Sequence, residues 1–396
     1  MTQLDQLPNE LLLLSAQYLH NQRDINAFVQ TNKTLYHVLH AFLCRFNVKY
    51  HQSSALLWAA RNGHIGLVTR LLDAGANISA YESPTEVTYD PENLVDLFTI
   101  NPLLAAAQGG YIGALKAMLS EKRPDRACSP AQLRTVLHWA IRSHDSNLVE
   151  LMIENNAPLN PAGDHQKSLS ALGVAVASGN NSVIPRFLEL GARSGDHERP
   201  CPVEQAICTD QPQLVELLLR HGIQPNGDEG LCHIVRRNDK SLLKLLLRYG
   251  LKLEFYVAPL FIAIMEDQYE MVEMLIDNGA NPRLENQLFT RDEDDVIIMC
   301  FLSPIGFAIY FRRLNILKLL LEKGVLPVQD DLELAVDKKY EEAVVLLSKF
   351  SNQDLPNIQS VSSYIMWTGY LNRMENPDFW MPYTSWVFDE SRAGDR

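Results

Sequence analysis

Residues 54–77 read SALLWAARNGHIGLVTRLLDAGAN. Two short apolar runs, 56–60 and 67–72, are separated by Asn62-Gly63-His64 and closed by Gly75. Small Ala in the first run lets two short helices approach closely, and a Gly after the second supplies the left-handed cap that ends it. A helix–turn–helix of this size cannot bury its own apolar face and must stack on neighbours. The fold therefore depends on whether the stretch recurs.

It does. The pattern of two apolar residues, two variable ones and Gly returns at 71–75, 187–191, 218–222, 246–250, 275–279 and 320–324, and Lys122 and Asn156 stand in the Gly position of two degenerate copies. These positions lie 28 to 35 residues apart, except for two gaps of 47 and 45. A shorter ninth copy follows at 346–347. Ala-containing first runs precede the markers at 56–60, 102–107, 137–141, 172–176, 259–264 and 304–309. Segments 54–77 and 258–281 resemble ankyrin repeats, whose opening is best kept in Thr135-Val136-Leu137-His138-Trp139-Ala140-Ile141 and in Gly63-His64. The resemblance covers about 53–350 and implies an all-α solenoid of eight or nine repeats. The turn Gly is replaced by Asp210, Asn238, Asp267 and Arg312.

The first fifty residues follow another pattern. Leu7, Leu11, Leu14 and Tyr18 fall at helical spacing behind Pro8 and Glu10, Asp24 is placed to cap a second helix through Phe28 and Val29, and Leu35, Val38, Leu39 and Phe42 line a third. The run Leu4-x-x-Leu7-Pro8-x-Glu10 with the helices behind it resembles an F-box, and its combination with ankyrin repeats is similar to a type abundant in filamentous fungi. That resemblance implies docking onto the Skp-type adaptor of a cullin–RING ubiquitin ligase through Leu7, Pro8, Leu11, Leu14, Leu19, Ile25 and Leu35. The same leucines are also compatible with a solenoid cap that packs only within the chain. The organisation expected is an F-box-like domain at 1–50, the repeat array at 53–350 and an aromatic-rich tail at 351–396, where residues 361–374 suit a capping helix.

Composition narrows the function. The 396 residues are 46% hydrophobic and 21% charged, which excludes a disordered or disulfide-scaffold chain. Thirty-five Lys and Arg against 48 Asp and Glu leave a net charge of −13, so protein is expected as the partner and nucleic acid is not. Six cysteines with no CxxC pair point to the reducing cytoplasm or nucleus. No apolar run reaches the roughly 18–20 residues of a membrane span, so a soluble chain with no membrane partner is expected. The common nucleotide, hydrolase and zinc-protease signatures do not occur, and the spacings of Cys201, Cys208, His221, Cys232 and His233 match no usual zinc frame. His64 reads as a turn residue. No catalytic residue, cofactor or metal is expected.

Two surfaces remain for a target. The ankyrin resemblance implies recognition through the first-helix ends, where Arg142, Arg236, Arg237, Tyr310 and Phe311 are anchor types. The two long gaps contain the insertions 81–100 and 284–302, which carry Glu82, Glu86 and Asp90, and Asp292, Glu293, Asp294 and Asp295, and together supply −9 of the net charge. Acidic fingers would clasp a basic target in a salt-sensitive way. The function expected is a non-catalytic substrate receptor of a Skp–cullin–F-box ligase. The alternative is an interaction scaffold without a ligase role.

Overall fold

The computed structural model describes residues 7–79, 101–160, 169–195, 198, 200–291 and 297–350. The chain opens with α1 (Asn9–Gln17), α2 (Gln22–Val29) and α3 (Lys33–Tyr50). Asn21 and Asn32 cap α2 and α3, their side-chain oxygens accepting from the N–H of Arg23 at 2.9 Å and of Leu35 at 2.8 Å. Asp24, expected as the cap of α2, lies inside its first turn instead, because Asn21 already holds the extended backbone that a cap requires. The three helices close around Leu12, Ala16, Ile25, Val29, Leu35 and Leu39, with Leu7, Leu19, Phe28, Val38 and Phe42 packed against them.

Nine helix pairs follow among the described residues. In the first compact unit, residues 1–202, they are α4 (Ser54–Arg61) with α5 (Ile65–Asp73), α6 (Pro102–Gln108) with α7 (Ile112–Leu119), α8 (Pro130–Arg142) with α9 (Ser146–Glu154), and α10 (Ala171–Ala177) with α11 (Ile184–Glu189). The second unit, residues 203–396, begins one residue into α12 (Pro202–Cys208), which pairs with α13 (Pro212–Arg220). Its other pairs are α14 (Glu229–Arg236) with α15 (Lys240–Arg248), α16 (Ala258–Met265) with α17 (Tyr269–Asp277), α18 (Pro304–Tyr310) with α19 (Leu314–Glu322), and α20 (Gln329–Asp337) with α21 (Glu341–Phe350). First helices stack on first helices within each unit, α4 on α6 on α8 on α10 and α14 on α16 on α18 on α20.

One device repeats through all nine pairs. The turn residue is left-handed in each, at Gly63, Gly110, His144, Gly179, Asp210, Asn238, Asp267, Arg312 and Lys339, with φ between 49° and 69°. The next N–H then turns back to a carbonyl in the first helix, for example His64 to Ala59, Asp145 to Ala140, Gln268 to Ala263 and Arg313 to Ala308, at 2.7–3.0 Å. The accepting residue is a fully buried Ala in eight pairs and Ile234 in the other. This contact is why the turn stays left-handed even where the chain has lost its Gly. At the ends of the second helices Gly75, Gly191, Gly222, Gly250, Gly279 and Gly324 are left-handed as the marker pattern requires, and Asn156 substitutes at φ 58°.

The all-α expectation needs one amendment. Strands β1 (Asn286–Arg291) and β2 (Ile297–Leu302) form an antiparallel hairpin, in register from Asn286 opposite Leu302 to Arg291 opposite Ile297. The uninterrupted apolar run 297–302 is of strand length and follows no helical spacing of apolar and polar residues.

In two of the pairs a capping serine meets a buried carboxylate. Ser170 and Ser303 cap α10 and α18 by accepting from Gly173 N and Gly306 N, and each hydroxyl also donates to a carboxylate 28 residues on, Glu198 at 2.8 Å and Asp331 at 2.6 Å. A Cβ on Gly173 would lie 1.7 Å from Glu198 Oε1, and one on Gly306 would lie 3.3 Å from Asp331 Oδ1. Gly at the fourth position of the capping segment thus makes room for the acid. Burial pushes both carboxyl pKa values up, against hydrogen bonds that hold them down.

Candidate interaction surface

Helix α1 has two apolar sides. Leu12 and Ala16 enter the three-helix core, whereas Leu11, Leu14 and Tyr18 remain 47%, 46% and 73% exposed, beside exposed Pro8. The spacing of Leu7, Leu11, Leu14 and Tyr18 read from the sequence is therefore mainly that of the outward side. This divides the residues expected to meet an adaptor. Pro8, Leu11 and Leu14 form an accessible surface, and Leu7 and Leu19 are half-buried at its edge. Ile25 and Leu35 are 0% exposed inside the core and cannot contact a partner, because the faces of α2 and α3 that carry them close on α1.

Helix α3 anchors this bundle to the first repeat. Asn47, buried near its end, donates through Nδ2 to Gln22 Oε1 at 3.1 Å and to Ser54 Oγ at 3.2 Å, and accepts from Ala55 N at 3.2 Å. Tyr36 Oη accepts from Arg70 of α5, whose guanidinium also lies 5.5 Å from the Tyr36 ring centroid. Trp58 does not pack under α1. It is 55% exposed and stacks on His64, ring centroids 5.0 Å apart, and His64 is the residue before α5, as its assignment to the turn requires.

The expected groove residues divide between the units. In the first, Arg142 ends α8 half-buried, and burial lowers its guanidinium pKa from the usual arginine range. In the second, Arg236 and Arg237 are exposed at the end of α14, and Arg237 Nη2 meets Asp210 Oδ2 at 3.0 Å on the preceding turn. Tyr310 and Phe311 are half-buried in a T-shaped pair at 5.1 Å. Lys338 Nζ lies 4.3 Å from the Tyr310 ring centroid, and Phe307 links the pair to Phe261 in the core. Both features are thus partly engaged within the chain.

The sequence reading assigned neither Trp58 nor Trp139 to the target surface, although each stands five residues before its left-handed turn residue and so at the same place in the repeat. Tyr111 was also overlooked. Its ring covers Gly63 and Gly109, where an added Cβ would approach to 2.3 Å in each case. Glu82, Glu86, Asp90, Asp292, Glu293, Asp294 and Asp295 of the acidic insertions, and the whole tail 351–396, lie outside the described residues. Among the described residues no three His, Cys, Asp or Glu side chains converge as metal ligands, and no helix is long and apolar enough to cross a membrane.

Family models agree with the repeat geometry. A model for the ankyrin repeat matches residues 51–82, and one for three ankyrin repeats matches 203–286. Among curated proteins, the chain is 23% identical to the human transient receptor potential cation channel subfamily A member 1, over 57% of this chain and 18% of that protein. It is 23% identical to the E3 ubiquitin-protein ligase KEG of Arabidopsis thaliana over 38% of this chain and 11% of that protein. It is 22% identical to the ankyrin repeat and KH domain-containing protein mask-1 of Caenorhabditis elegans over 70% and 11%. The chain thus spans less than a fifth of the length of each. The crystal structure of the ankyrin repeat domain of Bcl-3 aligns with 54% of this chain and 98% of that domain, at 17% identity and a TM-score of 0.38. This chain carries ankyrin repeats, at residues 51–82 and 203–286.

Proposed function

We propose that the protein is a non-catalytic substrate receptor, in which α1–α3 dock an F-box-like surface onto the Skp-type adaptor of a cullin–RING ubiquitin ligase and the repeats hold a target protein. Ankyrin repeats imply protein–protein interaction. The observation that favours adaptor docking is the outward side of α1. Pro8, Leu11, Leu14 and Tyr18 are left in water although the core beneath them is complete without them. Exposed apolar side chains grouped on one helix mark an interaction site more often than scattered ones do. The receptor would act by proximity, holding the target beside the conjugating enzyme so that a bimolecular encounter becomes a local one. Arg142 in the first unit, and Arg236, Arg237, Tyr310 and Phe311 in the second, are target contacts in this proposal. The acidic insertions add a contact for a basic stretch of the target.

A second function is favoured by a different observation. Asn47 and the Tyr36–Arg70 contact fix α3 to the first repeat as a terminal cap would be fixed, which suits an interaction scaffold with no ligase connection. A pull-down of the Skp-type adaptor by the full chain separates the two. Capture that is lost in Pro8→Ala/Leu11→Ala, with the melting temperature unchanged, supports the receptor. No capture by folded wild-type protein leaves the scaffold.

A further inference from the structure

The last helix pair has an uncovered side. Its turn residue Lys339 follows the preceding turn residue Arg312 by 27 positions, so each place in α20 and α21 corresponds to the one 27 before it in α18 and α19. The pair α18–α19 has a neighbour on each side, α16 and α17 before it and α20 and α21 after it. It buries Phe307, Ile309, Leu317 and Leu319 to 4% exposure or less. Their counterparts Leu334, Val336, Val344 and Leu346 are apolar too, but only half-buried. Leu332, Ala335, Ala343 and Leu347 of the same two helices are buried as usual, because α18 and α19 cover one side of the pair.

Exposed apolar side chains gather at the same place. Val345 of α21 is 54% exposed, and Leu326 and Val328, in the loop before α20, are 73% and 54% exposed. These are three of the five exposed large apolar residues described in the second unit. A terminal repeat that faces water carries a polar outer side, whereas this one keeps the apolar residues of an internal repeat. No helix pair follows it among the described residues. Grouped apolar exposure of this kind marks a surface with an occupant.

We propose that residues 355–372 of this chain seat on the outer side of α20 and α21, against Leu334, Val336, Val344 and Leu346, and close the array at that end. The occupant follows from the chain itself. Helix α21 runs as α19 does, from its turn back to the end where loop 323–328 lies, so residue 351 follows at the end that carries Leu326 and Val328. From there residues 351–354 reach up to about 14 Å, enough to fold back over a pair whose axes are about 8–10 Å apart. Residues 355–372 contain no Asp, Glu, Lys or Arg, in a chain that is 21% charged, and include Tyr364, Trp367 and Tyr370. Such a stretch lacks the charge that favours a solvated segment, and its tether gives it a local concentration above that of any separate partner. The proposal rests on neither of the functions weighed above.

The test is hydrogen–deuterium exchange of the full chain, read by mass spectrometry on peptides covering 355–372, α18–α19 and α20–α21. In the wild type, 355–372 is expected to exchange about tenfold or more slowly than an unstructured peptide of the same sequence, while light scattering gives the mass of a monomer. Val345→Glu and Leu326→Glu replace exposed side chains and leave no cavity in the core. Each should remove most of that protection and leave exchange in α18–α19 unchanged. Leu190→Glu, at an exposed apolar residue of the first unit, should leave the protection intact. Unprotected 355–372 in the wild type, protection that survives both Val345→Glu and Leu326→Glu, or an equal loss in Leu190→Glu would each overturn the proposal. Protection that disappears when a dimer is diluted to monomer would also overturn it and assign the surface to a second copy. Adaptor capture through α1 reads a different surface, so the two results fail independently.

Discussion

At the scale of single residues, His138 shows how a repeat position sets a titration. It is the one place where the opening His of the ankyrin pattern is kept, and in α8 it is buried. Burial, assisted by nearby Arg134, pushes its pKa down to about 3. In the unfolded chain an imidazole titrates near 6.5, so as pH falls below that value the unfolded state takes up the proton first. The contribution is complete above about pH 6.5 and is lost toward pH 3, at up to about 1.4 kcal/mol per pH unit. His138→Gln is expected to flatten the decline of the urea midpoint between pH 7 and pH 5, and a decline as steep as wild type would assign it to other groups. Glu198 and Asp331 act with the opposite sign. Their pKa values are raised by burial, so what they contribute is held at acid pH and lost as pH rises through the raised values.

At the scale of elements, α1 separates stability from recognition within two adjacent residues. Leu12 is fully buried in the three-helix core, and removing its side chain leaves a cavity, which costs roughly 2–5 kcal/mol. Leu11 is half in water and closes nothing. Leu12→Ala should therefore lower the thermal midpoint clearly, whereas Leu11→Ala should leave it nearly unchanged and show its effect only in adaptor capture. Equal midpoints for the two variants would mean that α1 is not held by this core. The helix pairs show the same economy of position. Lys339, Arg312 and His144 stand in left-handed turns that cost an ordinary residue about 1–2 kcal/mol, and the returning N–H to a buried Ala recovers part of that cost.

At the scale of the molecule, α1–α3 belong to the same compact unit as the first four helix pairs. They cover one end of a stack whose helices cannot bury themselves, and Asn47 forms a polar joint between bundle and repeat. Deleting residues 1–50 would expose the buried side of α4 and α5 and remove that joint. The shortened chain is expected to melt at lower temperature and to bind an apolar dye more strongly than the intact chain. A melting curve superimposable on wild type would show the bundle to be an independent appendage.

The repeat was legible in the sequence because its signals are local. A left-handed cap favours Gly, found at 75, 191, 222, 250, 279 and 324, and the returning N–H favours a small residue a fixed distance before the turn, an Ala in eight of the nine pairs. The helical spacing of Leu7, Leu11 and Leu14 was legible for the same reason. Tertiary packing alone decided which leucines of α1 face water, that Ile25 and Leu35 fill the core, and that Arg237 spends its charge on Asp210. It also decided that Glu198 and Asp331 occupy the space opened by Gly173 and Gly306. Periodicity defines a face relative to its own helix axis, but it carries no information about which neighbour covers that face. That depends on contacts between residues tens of positions apart, and those form only when the helices stack.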